Sequence, residues 1–260
     1  PQNPAEYKFE WYYYDNATAT RGSILPAANG TGEIRTGLSV GHYQVQITNI
    51  ATQCQSIQSP ITEIVDQRVV PTTIITEVAP QTSCDFSKPN ARLSAEAFVG
   101  GITQDPSAYT FEWFKGDNTL PAYAHTSVSG INGNTAENVS AGGTLYTVKI
   151  TTSNNCSAID TIMVSEDLNV PVITLSAIDN TICDPSLATS NYNGSVIAAI
   201  TFDGVAVTDL SNYRITWHQG SLNTDPVMGG ETSTHIDELN GGYYSMVVER
   251  TDLFCVSDLV

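Results

Sequence analysis

The chain has 260 residues, 41 % hydrophobic and only 14 % charged, with 27 Asp and Glu against 10 Lys and Arg. A formal net charge of −17 repels polyanions and argues against nucleic acid or an anionic membrane surface as partner. No apolar run approaches the roughly 18 residues of a membrane helix, so no membrane insertion is expected in this segment.

The first predicted element is "YKFEW" (7–11), aromatic at every second position, and it returns as "YTFEW" (109–113) and "YRITW" (213–217). Trp11 and Trp113 are 102 residues apart, Trp113 and Trp217 104. The next element, "LSVGHYQVQI" (38–47), precedes Cys54. Its counterparts are "VSAGGTLYTVKI" (139–150) before Cys156 and "LNGGYYSMVV" (239–248) before Cys255. Val70-Pro71 and Val170-Pro171 each open a Thr- and Ile-rich run. So many markers in one order define tandem domains of about 100 residues.

The repeat phase sets the expected boundaries. "QNPAEYKFEW" (2–11) matches "QDPSAYTFEW" (104–113), about 35 residues into the second copy. A partial domain over 1–68, lacking its first two strands, is therefore expected. A complete domain over 69–168 follows, and then one over 169–260 truncated near its last strand.

Alternation settles the fold class. Tyr109, Phe111 and Trp113 share one face of their segment, as do Tyr146, Val148 and Ile150, whereas no 3.6-residue apolar stripe persists. Period-two patterning with β-branched and aromatic residues predicts half-buried antiparallel strands. A Trp on a middle strand and a Gly-Tyr pair before a late strand predict an all-β chain of tandem immunoglobulin-like β-sandwich domains. The short Val-Pro junctions restrict the backbone and predict a rod-like array. Trp11, Trp113 and Trp217 are read as core residues in preference to sugar-stacking platforms. Tyr43, Tyr146 and Tyr244 are read as tyrosine corners. Tyr12, Tyr14 and Phe114, in the opposite phase, are the better candidates for sugar contact.

Five cysteines leave one without a partner. Cys84 to Cys156 and Cys183 to Cys255 both span 72 residues, which favours disulfides within each domain and a partner for Cys54 outside the chain. The rival scheme, Cys54–Cys84 and Cys156–Cys183, has unequal spans of 30 and 27. A 72-residue loop stabilises by roughly 4.4 kcal/mol in the chain-entropy model. An oxidising, extracytoplasmic setting follows.

No enzyme and no cofactor are expected. His42, His125, His218 and His235 occupy no common repeat position, and no nucleophile-elbow, zinc or phosphate-loop motif occurs. Glu63, Asp66, Glu166 and Asp167 flank the Val-Pro junctions and are candidates for calcium, weighed against ordinary solvated linker charge.

Cys183 with Asn193-Gly194-Ser195, then Tyr213 to Trp217, Leu239 to Val248 and Cys255 form a pattern that resembles the Ig-like repeats of giant cell-surface adhesins of gliding Bacteroidota, the SprB type. The resemblance implies an extracellular filament exported by the type 9 secretion system and attached to the outer membrane. Gliding machinery would move it, and it would adhere to an external surface or polysaccharide. It also implies that Thr161, in Asp160-Thr161-Ile162, is an O-glycosylation candidate. The alternative is a carbohydrate-binding or spacer array of a secreted polysaccharide-degrading enzyme.

Overall fold

Residues that alternate apolar and polar can bury one face only as extended strands, and strands joined by short turns build this chain. The structure, a computed structural model, describes residues 3–26, 32–184, 186, 191–230 and 232–260. The chain divides into two units, residues 1–69 and 70–260.

The first unit contains β1 (Tyr7–Asp15), β2 (Thr20–Ile24), β3 (Gly41–Asn49) and β4 (Thr62–Ile64). They form one antiparallel sheet in the order β2-β1-β3-β4. Trp11 lies opposite Val45 in the β1–β3 ladder. A one-turn 3-10 helix, Pro4–Glu6, feeds β1, with the Asn3 side chain accepting from the Ala5 N–H. Proline suits this position because the N–H it lacks would be unpaired in any case.

The second unit holds two sandwiches. The first comprises β5 (Thr72–Ala79), β6 (Ala91–Val99), β7 (Ile102–Thr103), β8 (Tyr109–Lys115), β9 (Ala124–His125), β10 (Val128–Ser129), β11 (Thr135–Val139), β12 (Leu145–Thr152) and β13 (Ser157–Met163). One sheet runs β10-β11-β6-β5, with β7 pairing β6, and the other runs β13-β12-β8-β9. That is the immunoglobulin arrangement, in which strands A, B, E and D face G, F, C and C′. Asp105 caps the turn Pro106–Ala108 ahead of β8, repeating the Asn3-Pro4 device ahead of β1. Leu93 and Ala95 from one sheet pack with Trp113, Val148 and Ile150 from the other.

The second sandwich comprises β14 (Val172–Ile178), β15 (Gly194–Phe202), β16 (Val205–Ala206), β17 (Tyr213–Gln219), β18 (His235–Leu239), β19 (Tyr244–Arg250) and β20 (Cys255–Val256). Its sheets run β14-β15-β16, with β18 pairing β15, and β17-β19-β20. Ile173, Val196 and Ile200 meet Trp217, Met246 and Val248 between them. Gly194 pairs with Leu239 across β15 and β18, and a Cβ there would stand 2.5 Å from the Leu239 carbonyl oxygen.

The ladders fix which loops share an end of the first sandwich. Ala79 pairs near Arg92, and Val139 pairs with Ala91, so the β5–β6 and β11–β12 connections lie at one end. Tyr109 pairs with Thr152, which puts the β12–β13 turn at the other end.

Candidate functional site

Two of the three repeated tryptophans, Trp113 and Trp217, belong to hydrophobic cores. Trp113 and Trp217 are 2 % and 0 % exposed, while Trp11, on the single sheet of the first unit, is half-buried. Each indole N–H donates to a carbonyl across the domain: Trp11 to Gly32 (2.8 Å), Trp113 to Gly133 (2.8 Å) and Trp217 to Ser233 (2.9 Å). A buried indole needs that partner. Enclosed on both faces, Trp113 and Trp217 offer no platform to a sugar.

The tyrosines pin the turn before β3, β12 and β19. The Tyr43 and Tyr244 hydroxyls donate to the carbonyls of Ser39 (2.9 Å) and Asn240 (3.2 Å), each four residues upstream. The Tyr146 hydroxyl instead accepts from the Ser140 N–H (3.0 Å), six residues upstream. The two extra residues of that copy account for the change. Burial pushes the Tyr146 phenol above its ordinary range.

Of the three aromatics singled out by phase for sugar contact, Phe114 is buried, 5 % exposed. The 3-10 turn Pro121–Tyr123 folds against β8, so alternation along the strand did not report what lies over its outer side. Tyr12 lies under the Arg21 guanidinium, 3.9 Å from its ring centre, and Tyr14 is half-buried.

The cysteine pairing differs from the sequence expectation. Cys84 is bonded to Cys255, 171 residues away, with their Cα atoms 5.0 Å apart. Cys54, Cys156 and Cys183 are free thiols. Neither Cys84–Cys156 nor Cys183–Cys255 forms, and the reason is geometric. Cys84 follows β5 at one end of its sandwich, whereas Cys156 lies in the β12–β13 turn at the other. Strands of eight residues separate those ends by about 26 Å, and a disulfide needs Cα atoms within about 7 Å. The bond instead joins the β5–β6 loop of one sandwich to the first residue of β20 in the next, just past the β19–β20 turn.

That loop is the centre of a joint. The Cys84 N–H donates to the Leu253 carbonyl (2.9 Å), and the Lys88 ammonium sits 3.7 Å from the centre of the Phe254 ring. Gln81, fully buried and not singled out in the sequence, ties the loop to its own sandwich. Its side chain donates to the Ser83 carbonyl (2.9 Å) and accepts from the Ala141 N–H (2.7 Å). Its backbone pairs with the linker, donating to the Ser165 carbonyl (3.0 Å) and accepting from the Asp167 N–H (2.9 Å). One loop therefore holds the linker on one side and the next sandwich on the other. The only sequence hint was the closeness of Gln81 to Cys84.

The acidic candidates are not gathered into a metal site: no group of three or more His, Cys, Asp or Glu suited to a metal occurs among the described residues. Asp66 is ion-paired with Arg68, whose side-chain hydrogen bonds hold its carboxyl down to about 2. Glu63 stands 3.9 Å from His42. Asp167 accepts from the Asn169 side chain (3.1 Å), and both Asp167 and Glu166 belong to the linker pairing with Gln81. Thr161 is exposed on β13. Its neighbour Asp160 accepts from the Ile75 N–H (2.9 Å) and closes the edge of β5.

The first unit carries a hollow of about 550 Å³ lined by Tyr7, Phe9, Ile47, Cys54 and neighbouring polar residues. The equivalents of Phe9 and Ile47 in the next domain, Phe111 and Ile150, are buried beneath a second sheet. The described strands of the first unit form a single sheet.

No protein-family model matches the chain, and no curated protein is similar to it. Solved structures similar to it include the three N-terminal domains of the highly immunogenic outer capsid protein (Hoc) of bacteriophage RB49. Identity there is 16 %, over 95 % of this chain and 81 % of that one, with a TM-score of 0.30. The N-terminal eight Ig domains of Down Syndrome Cell Adhesion Molecule match at 14 % identity, over 96 % of this chain and 36 % of that one, TM-score 0.26. Extracellular domains 3–5 of Drosophila OTK match at 13 % identity, over 99 % and 86 %, TM-score 0.22. At these TM-scores the likenesses decide nothing about function, and the immunoglobulin-like assignment stands on the strand order.

Proposed function

We propose that the chain is a stalk segment of a long cell-surface adhesin, a series of β-sandwiches that holds an adhesive surface away from the cell and bears tension. The observation that carries this reading is the Cys84–Cys255 bond between successive sandwiches. A covalent tie between modules gives pulling force a path that shields the residues between Cys84 and Cys255, which include most strands of both sandwiches. The disulfide also supports an oxidising, extracytoplasmic location. The repeat resemblance supports the finer reading: a Bacteroidota gliding adhesin, exported by type 9 secretion, anchored at the outer membrane and adhering to a surface or polysaccharide. Exposed Thr161 is the proposed glycan acceptor.

Single-molecule pulling of the whole chain by its two ends tests the stalk reading. Without reductant, the residues between Cys84 and Cys255 should not extend. With reductant, those 171 positions should release roughly 600 Å of extra length, at about 3.5 Å per residue. Full extension at low force without reductant would show that tension does not run through the tie and would overturn the reading.

A further inference from the structure

We infer that the Cys84–Cys255 bond is one instance of a repeating tie, and that Cys183 is the loop half of the next. Its partner is a further β-sandwich of the same repeat that presents a cysteine in the turn between its last two strands. This deepens the stalk reading and rests on it. What identifies the partner is the bond already made at the equivalent place, since Cys84 and Cys183 are 99 residues apart in successive copies.

The described residues flanking the two cysteines make matching hydrogen bonds. Asn90 accepts from the Thr82 N–H and donates to the Thr82 hydroxyl. Asn193 does the same with Thr181. One residue past each cysteine, Asp85 and Asp184 accept from the N–H and hydroxyl of Ser87 and Ser186. Gln81 and Asn180, also 99 apart, each donate a side-chain N–H to the carbonyl two residues on. Cys183 thus has the flanking hydrogen bonds of Cys84, and it is exposed and without a disulfide.

The complementary half also repeats. Cys54, Cys156 and Cys255 each close the turn before the last strand, and each follows a left-handed residue: Gln53 (φ 59°), Asn155 (φ 61°) and Phe254 (φ 56°). The carbonyls of Cys54 and Cys156 accept from the N–H of Asn49 and Thr152, each at 2.9 Å. Cys255 pairs with Arg250 in the same way across the ladder. Cys54 and Cys156 are therefore turn-type cysteines, the chemistry Cys183 should accept. The turn-to-loop polarity makes the array directional, each sandwich bonding the one before it through its turn and the one after it through its loop.

Closure by a low-molecular-weight disulfide balances. One thiolate attacks glutathione disulfide and expels one glutathione thiolate. The second cysteine thiolate then attacks the mixed disulfide, forming the protein S–S bond and expelling the other. Two electrons pass from the cysteine pair to glutathione disulfide, giving two glutathione thiols.

The turn cysteine can come from a further module of the same polypeptide or from a second copy of this chain, and two arms separate them. In the first, the polypeptide is taken from its source with thiols blocked and digested without reduction. Cys183 joined to a turn-type cysteine outside residues 1–260 supports the same-chain source. In the second, the purified 260-residue chain is incubated with glutathione disulfide and mapped. Cys183 joined to Cys54 or Cys156 of another copy, and lost in the Cys54→Ser, Cys156→Ser variant, supports the second-copy source. Cys183 left free in both arms overturns the inference, as does Cys183 joined only to Cys183. Either result leaves the force-extension test of the stalk reading intact, because that test depends only on Cys84 and Cys255.

Discussion

Trp113 and Trp217 fill the space between their sheets and satisfy their single polar atom on the carbonyls of Gly133 and Ser233. Removing the Trp113 ring leaves a cavity as well as lost contacts, so Trp113→Ala should destabilise its sandwich by roughly 3–5 kcal/mol. Amide exchange at Val148 and Ile150 should accelerate far more than at Val248 in the neighbouring core. Equal acceleration in both cores would contradict the assignment of two separate cores. At this scale the sequence was informative for a simple reason. Alternation with period two, repeated three times, marks which side of a strand faces inward. It does not report what a connecting segment lays over the outer side, as Phe114 shows.

The loop between β5 and β6 is tied to its sandwich and to the linker through Gln81. Four hydrogen bonds from one residue join the end of β5, the β11–β12 connection and the linker. Gln81→Leu keeps the side chain's bulk but strands the Ala141 N–H in a buried place, which should destabilise the sandwich by about 1–3 kcal/mol. The Ala141 amide should lose its exchange protection. Retained protection at Ala141 would show that another acceptor replaces Gln81. Strand positions were legible from local pattern, because a strand's face is set by its neighbours in sequence. The loop was not, because Gln81 works through Ala141, 60 residues away, and through a linker that composition marks only as acidic.

Between the two sandwiches of residues 70–260, the tie closes a loop of 171 residues. In the chain-entropy model that stabilises by about 5 kcal/mol. A Cys84→Ser, Cys255→Ser double variant should therefore melt at lower temperature. Its calorimetric profile should resolve into two transitions as the sandwiches uncouple. An unchanged profile would mean that the linker and the loop contacts alone join them.

The sequence by itself determined the period, the strand class, and the Trp and Tyr positions of each core. All of these follow from local alternation or from counting. Which cysteines bond was decided only by the tertiary structure. In any periodic chain, the loop-to-turn distance recurs within every copy, and so does the distance from one copy's loop to the next copy's turn. Equal spans of 72 therefore could not distinguish the two pairings. The choice was made by strand direction, which places Cys84 and Cys156 at opposite ends of one sandwich and brings Cys84 against the turn that leads into Cys255.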